Sequence, residues 1–142
     1  MMEHLKEIVD YGVIGLLVVM SFIVVWLTIE RIIFYWRIDL GKYSKKEALE
    51  IDLTSNLSLI ATIASSAPYI GLLGTVLGII LTFYTMGEKG IVETKEIMTG
   101  LALALKATAM GLVVAIPATI FYNLLVRKAE VLIARWEMMH ED

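Results

Sequence analysis

With 142 residues, 58% of them hydrophobic and 19% charged, and a mean hydropathy of +0.78, the chain is too apolar for an ordinary water-soluble domain. A formal net charge of −3 without any long basic block excludes the electrostatic footprint of a nucleic-acid partner, so the lipid bilayer is the natural solvent. The absence of cysteine excludes a disulfide framework, an iron–sulfur cluster and a thiolate nucleophile.

Residues 1–10 carry charges of both signs and read as a short segment outside the membrane. The uncharged run that follows, Tyr11 to Ile29, is 19 residues long, enough to cross about 30 Å of hydrocarbon as a helix. It is too long for the core of a signal peptide and lacks a small-residue cleavage site, so a retained first span over residues 11–36 is predicted. Its bulk of Val, Ile, Leu and Trp, with only Gly12 and Gly15, suits a lipid-facing position at the periphery.

Residues 37–66 form a short cytoplasmic segment on this reading, and a second span covers 67–87. The uncharged run from Leu53 to Gly87 is 35 residues, more than one crossing needs at about 1.5 Å per residue, and its first half is rich in Ser and Thr. The membrane part is therefore expected to begin near Pro68. At about 100° per residue, Ala67, Gly71, Gly74, Thr75, Gly78, Thr82 and Thr85 share one sector of this helix.

A loop at 88–96 leads to a third helix over 97–126, followed by a tail at 127–142. Gly100, Ala104, Ala107, Thr108, Gly111, Ala115 and Ala118 make a second stripe of small residues. Two placements of Lys106 follow. Either it marks the interface and the span is 107–126, its stem snorkelling to the headgroups, or the helix enters near residue 97 and carries a lysine inside the bilayer.

Between Pro68 and Gly87, and again between Ile97 and Val126, there is no Asp or Glu, so these two spans hold no carboxylate to carry a proton. Lysines and arginines set the orientation. Eight lie in the 30–52 segment and the tail, whereas Lys6, Lys89 and Lys95 lie on the other side. By the positive-inside rule the C-terminus is cytoplasmic and the N-terminus and the 88–96 loop face outward.

In lipid, helices associate through close backbone approach at small residues and interhelical hydrogen bonds, so the plain reading of both stripes is packing, with Gly74 and Gly78 a small-xxx-small pair. A threonine in such a helix ordinarily bonds back to the carbonyl one turn earlier. Thr75 and Thr108 stand out because each lies inside a glycine-rich stripe, where a hydroxyl meets a neighbouring helix or a wetted lumen. His4 and His140 are isolated near the termini without ligand partners at metal spacing, and the glycines around residue 74 lack the Gly-Lys-Ser/Thr ending of a phosphate loop. No metal, cofactor or catalytic nucleophile is expected.

Ala67-Pro68-Tyr69-Ile70-Gly71-Leu72-Leu73-Gly74-Thr75-Val76-Leu77-Gly78 resembles the "APxxGLLGTVxG" motif of the ExbB/TolQ/MotA proton-channel family. Gly100 to Asn123 resembles its partner motif through Ala107-Thr108-Ala109, Gly111-Leu112, Ile116-Pro117-Ala118 and Tyr122-Asn123. The resemblance implies an all-α, three-span protein of the bacterial inner membrane whose second and third helices are long, extend into the cytoplasm, and assemble as a homo-oligomeric ring, a pentamer in this family. It further implies an ExbD-like single-span partner with a transmembrane aspartate, and a TonB-like protein that passes motion to the outer membrane. Thr75 and Thr108 then match lumen-facing threonines beside the proton path, while Pro68 and Pro117 match family prolines that shape the helices. The chain departs where many relatives have a glutamate, in "GxAEAL": Leu103 stands there, with Lys106 three residues on. The short cytoplasmic segment favours the ExbB/TolQ branch over MotA. A TolQ-like role in envelope integrity and a non-conducting scaffold for a single-span partner are the other readings.

Overall fold

A computed structural model describes residues 2–141. Helix α1 runs Met2–Arg37, a short 3-10 turn covers Leu40–Lys42, and then come α2 (Lys46–Thr54), α3 (Leu57–Lys89) and α4 (Thr94–Met139). There is no strand among the described residues, so the chain is all-α. Three helices, α1, α3 and α4, are long and apolar enough to cross a membrane. At about 1.5 Å per residue, α4 with its 46 residues exceeds the ~30 Å of hydrocarbon twofold, so it necessarily extends past the apolar layer. The segment 37–66, expected as a short connection, holds α2 and the first turns of α3, because Leu49, Leu53, Leu57, Ile60 and Ile63 supply a buried face that continues into the bundle.

The fold is an antiparallel α3–α4 hairpin with α1 laid along it. Gly90, at φ +81°, makes the turn between α3 and α4 in a backbone region open to glycine. At the other end Asn56, at φ 67°, turns the chain from α2 into α3, a conformation that asparagine tolerates better than most residues. The large apolar core lies toward this α2 end. Leu17, Met20, Val24 and Leu27 of α1 meet Leu49 and Leu53 of α2, Ile60 and Ile63 of α3, and Leu125, Leu132 and Trp136 of α4. One stripe of α1 is thus buried against the hairpin.

A polar clamp fixes α2. The last carbonyls of a helix have no partner of their own, and here Arg31 Nη1 donates to the Asp52 carbonyl at 2.7 Å while the Tyr35 hydroxyl donates to that of Leu53 at 2.5 Å. Arg31 is 4% exposed, so its charge must be matched. Glu30 accepts from it at 2.6 and 2.5 Å, and the Phe34 ring lies 4.4 Å from the guanidinium. From α4, Trp136 Nε1 donates to the Tyr43 carbonyl at 3.0 Å, and Glu137 takes Lys46 at 2.6 Å, which raises the lysine pKa. That pair is half-exposed and contributes little on its own.

The hairpin itself packs on small residues. A Cβ placed at Gly71 would lie 2.6 Å from the Ala107 carbonyl oxygen and 3.1 Å from Gly111 Cα, and one at Gly111 would lie 2.6 Å from the Ala67 carbonyl oxygen. Both clashes are with backbone, which has no rotamer to yield. Gly71→Val or Gly111→Val should therefore cost about 1–3 kcal/mol in denaturant titrations of the solubilised protein. Gly12→Ala and Gly15→Ala, where no atom lies within 4 Å, should leave stability unchanged or raise it.

The Tyr43 hydroxyl donates to the Asp52 carboxylate at 2.6 Å, and this bond pushes the phenol up to about 12. The bond needs the protonated phenol, so its stabilisation is present below the ordinary value of 10.0 and disappears as pH rises from there through about 12. A tyrosinate absorbance titration should show one tyrosine moving from about 12 back toward 10.0 in Asp52→Asn.

Candidate functional site: a threonine pair at the helix crossing

The expected small-residue sector of α3 is the face that α4 covers. Ala67, Gly71, Gly74, Thr75, Gly78 and Thr82 are buried, as are Gly100, Ala104, Ala107, Gly111, Ala115 and Ala118 on α4. Their register is antiparallel and regular. Gly71 faces Gly111, Gly78 faces Ala104, and Gly100 faces Thr82, whose Cγ2 would be 2.6 Å from a Cβ built there. Gly74 faces both Ala107 and Val13 of α1, with added-Cβ distances of 2.9 Å to each, so all three long helices converge at this level.

Within that crossing Thr75 and Thr108 meet side chain to side chain. The Thr75 hydroxyl is 2.8 Å from the Ala104 carbonyl and 3.3 Å from the Gly71 carbonyl of its own helix. One hydroxyl has one proton to give and lone pairs to accept. The shorter contact makes the Ala104 carbonyl the acceptor of the Thr75 proton, leaving Thr108 to donate to the Thr75 oxygen. The ordinary back-bond of Thr108 would also end on Ala104, one turn earlier, and Thr75 takes up that acceptor across the interface. Other threonines behave plainly: Thr82, Thr85 and Thr119 bond to the carbonyls of Gly78, Leu81 and Ala115 at 2.7, 2.8 and 2.8 Å. Among the described residues, the Thr75–Thr108 bond joins α3 to α4 side chain to side chain, beside the bond from Thr75 to the Ala104 carbonyl.

Thr75 is 5% exposed, whereas Thr108 is half-buried and so reaches the edge of the interface. The pair holds no titratable group. With its two protons committed to the Ala104 carbonyl and to the Thr75 oxygen, the pair keeps lone pairs on Thr108, a neutral acceptor suited to the proton of a carboxyl group; donation to a carboxylate requires Thr108 to turn away from Thr75.

Pro68 is half-buried beside Ala67, and Pro117 is exposed next to Ala118. Each lies inside an unbroken helix and lacks the N–H that would reach the carbonyl one turn earlier, that of Ala64 and of Val113 respectively. Lys106 is exposed and lies in the body of α4, which begins at Thr94. It lines a cavity with Glu7, Asp10, Tyr11, Ile14, Leu103 and Ala107. No local pattern brings Glu7 and Asp10 to Lys106, since most of the chain separates them. The charge count used Arg31 for membrane orientation alone, although an arginine followed four residues later by tyrosine puts both on one helix face. His4 is exposed, and His140 stacks on Trp136 with ring centroids 4.0 Å apart.

Residues 39–138 match the model of the MotA/TolQ/ExbB proton channel family. The chain belongs to this family. It is 58% identical to a biopolymer transport protein ExbB of Aquifex aeolicus over 142 residues, which is 100% of this chain and 96% of that protein. A putative biopolymer transport protein ExbB-like 2 of Helicobacter pylori is 54% identical over 136 residues, covering 96% of this chain and 91% of the relative. The Tol-Pal system protein TolQ of Pseudomonas aeruginosa is 41% identical over 87 residues, 61% of this chain and 38% of its own length. Family membership and three apolar helices make this a membrane protein of the proton-channel type, in a transport family rather than an enzymatic one.

The hydroxyl bond can be measured directly. A double-mutant cycle of Thr75→Val and Thr108→Val should give a coupling of roughly 0.6–2 kcal/mol, the range for interhelical hydrogen bonds in membranes. Zero coupling would mean that the two hydroxyls do not meet.

Proposed function

We propose that this chain is the ring-forming, proton-conducting subunit of an inner-membrane motor that uses the proton-motive force to energise TonB-dependent import across the outer membrane. The observation that carries the reading is the Thr75–Thr108 pair, a neutral hydroxyl pair one turn from the backbone contact of Gly71 with Gly111. The spans that build it hold no acid: α3 is free of Asp and Glu from Leu57 to Gly87, and α4 from Ile97 to Val126. A proton carrier must then come from a partner, and a single-span, ExbD-like protein with a transmembrane aspartate supplies that group. Each charge falling through ~100 mV releases about 2.3 kcal/mol, so several per stroke are needed for substantial work on a TonB-like protein.

The complex is a homo-oligomeric ring, a pentamer, with the N-terminus and the 88–96 loop periplasmic and the α2 end cytoplasmic. Near-full-length similarity to proteins named ExbB supports the import role over the TolQ role, for which similarity covers less of either chain. Lys106 shares its cavity with Asp10, the last charge before the apolar run of α1, which supports the placement in which both mark the outer boundary.

The test is uptake and assembly measured together. Thr75→Val and Thr108→Val should still copurify with the single-span partner, yet energised uptake should fall about tenfold, the equivalent of a 1.4 kcal/mol loss. Full uptake by assembled variants would rule out the role assigned to the pair and favour a scaffold. Detergent sensitivity and division defects in a deletion strain, with uptake intact, would instead point to the TolQ role.

A further inference from the structure

We infer that Glu7, Asp10 and Lys106 form an electrostatic clasp that holds the first turns of α1 against the stretch of α4 carrying Thr108. The inference rests on how differently the two ends of α1 are attached. From Leu17 onward α1 buries a stripe of large apolar residues, Leu17, Met20, Val24 and Leu27. Before Leu17 the part-buried positions are Lys6, Val9, Asp10, Val13 and Ile14, while Ile8 and Tyr11 are 67% and 75% exposed and Gly12 has no neighbour within 4 Å. The apolar contact of this arm is confined to part-buried side chains such as Val13, with none of them fully buried among the described residues.

The arm also carries charge, placed opposite a cation. Glu7, Asp10, Tyr11 and Ile14 from α1, and Leu103, Lys106 and Ala107 from α4, surround one cavity. Lys106 has apolar neighbours along α4 on both sides, with no acid between Ile97 and Val126, and α3 has none from Leu57 to Gly87. The acids lining its cavity are Glu7 and Asp10. Among the described residues no direct ion pair within 4.0 Å joins them; the three groups line one cavity, and the flexible four-carbon stem of the lysine lets its ammonium reach toward either carboxylate. On the far side of the arm, Lys6 lines a separate cavity with Lys89, Lys95 and Glu96, where Glu96 is already 3.8 Å from Lys89. That side offers the arm no net attraction. The holding charge is on Lys106.

A pair of this kind in bulk water is worth little, but beside apolar helices and lipid the effective dielectric is lower and the same charges attract more strongly. Lys106 stands two residues before Thr108, and Val13 of the arm packs on Gly74 next to Thr75. The clasp therefore sets the position of α1 beside the threonine pair. Lys106, Glu7 and Asp10 are positioning residues, and the inference does not depend on the proposed import role.

The natural lack of cysteine permits a clean measurement on the full chain in lipid nanodiscs. Tyr11→Cys with Leu103→Cys places one thiol on each wall of the cavity, and oxidation should cross-link them within a single chain, at monomer mobility. Adding Lys106→Glu should slow cross-linking at least about fivefold. The swap Asp10→Lys with Lys106→Asp should restore it, and in the parent pair rising salt should slow it. The uncharged set Glu7→Gln, Asp10→Gln and Lys106→Gln keeps side-chain bulk without charge and should cross-link as slowly as Lys106→Glu. Cross-linking at the parent rate in either Lys106→Glu or the uncharged set would overturn the clasp. So would a swap that retains circular dichroism and assembly but fails to restore the rate.

Discussion

The backbone-to-backbone contact of Gly71 with Gly111 sets the geometry of everything around it. With backbone against backbone at this point, α3 and α4 are near enough for a side chain as short as threonine to bridge them one turn away. A larger residue at either glycine would spread the helices, and the Thr75–Thr108 bond would be lost before any apolar contact. Packing and polar chemistry are therefore a single constraint here. In lipid this is physically reasonable, because tails compete for leucine but cannot compete for a glycine-lined backbone contact or an interhelical hydrogen bond.

The same contact explains why the rest of the chain is needed. Small residues give close approach but bury little area, and the apolar burial that secures the bundle lies elsewhere, around Leu49, Leu53, Ile60 and Leu132 at the α2 end. Arg31 and Tyr35 join that core to α1 by capping the carbonyls of Asp52 and Leu53. Removing Arg31 would leave the Asp52 carbonyl without its side-chain donor and Glu30 without its partner, a larger penalty than the loss of any surface ion pair. One end of the molecule is held by volume and capping, the other by closeness.

Much of this was legible in the residues. The small-residue sectors of α3 and α4 follow from helical period alone, and burial of Ala67, Gly71, Gly74, Thr75 and Gly78 matches the sector that a 100° rotation selects. The separate helix α2 over residues 46–54 was not legible in a segment read only as short and cytoplasmic, and the Ser and Thr of residues 54–66 marked where the membrane part ends without showing how they sit in a helix. Thr54, Thr62 and Ser66 satisfy their hydroxyls on carbonyls of Glu50, Ser58 and Thr62, one turn back, and remain helical. Nor does any local pattern say that the Thr75 hydroxyl takes the carbonyl of Ala104 in place of its own helix, because that choice is made by the distance between helices.

The argument from missing carboxylates also changes in three dimensions. Taken along the chain, the second and third spans hold no acid. The fold adds that α1 lays Glu7 and Asp10 against α4 at Lys106, two residues from Thr108. Where the family motif has a glutamate, this chain has Leu103, which lines the cavity shared by those two acids. An acid missing from one helix is thus matched by acids on its neighbour, at a position where Lys106 brings the cluster to a net charge near −1. With Leu103 at that position of α4, negative charge on this side of the hairpin comes from α1. That charge lies on the arm whose Val13 packs on Gly74, next to Thr75, so the placement of α1 and the charge beside the threonine pair are linked.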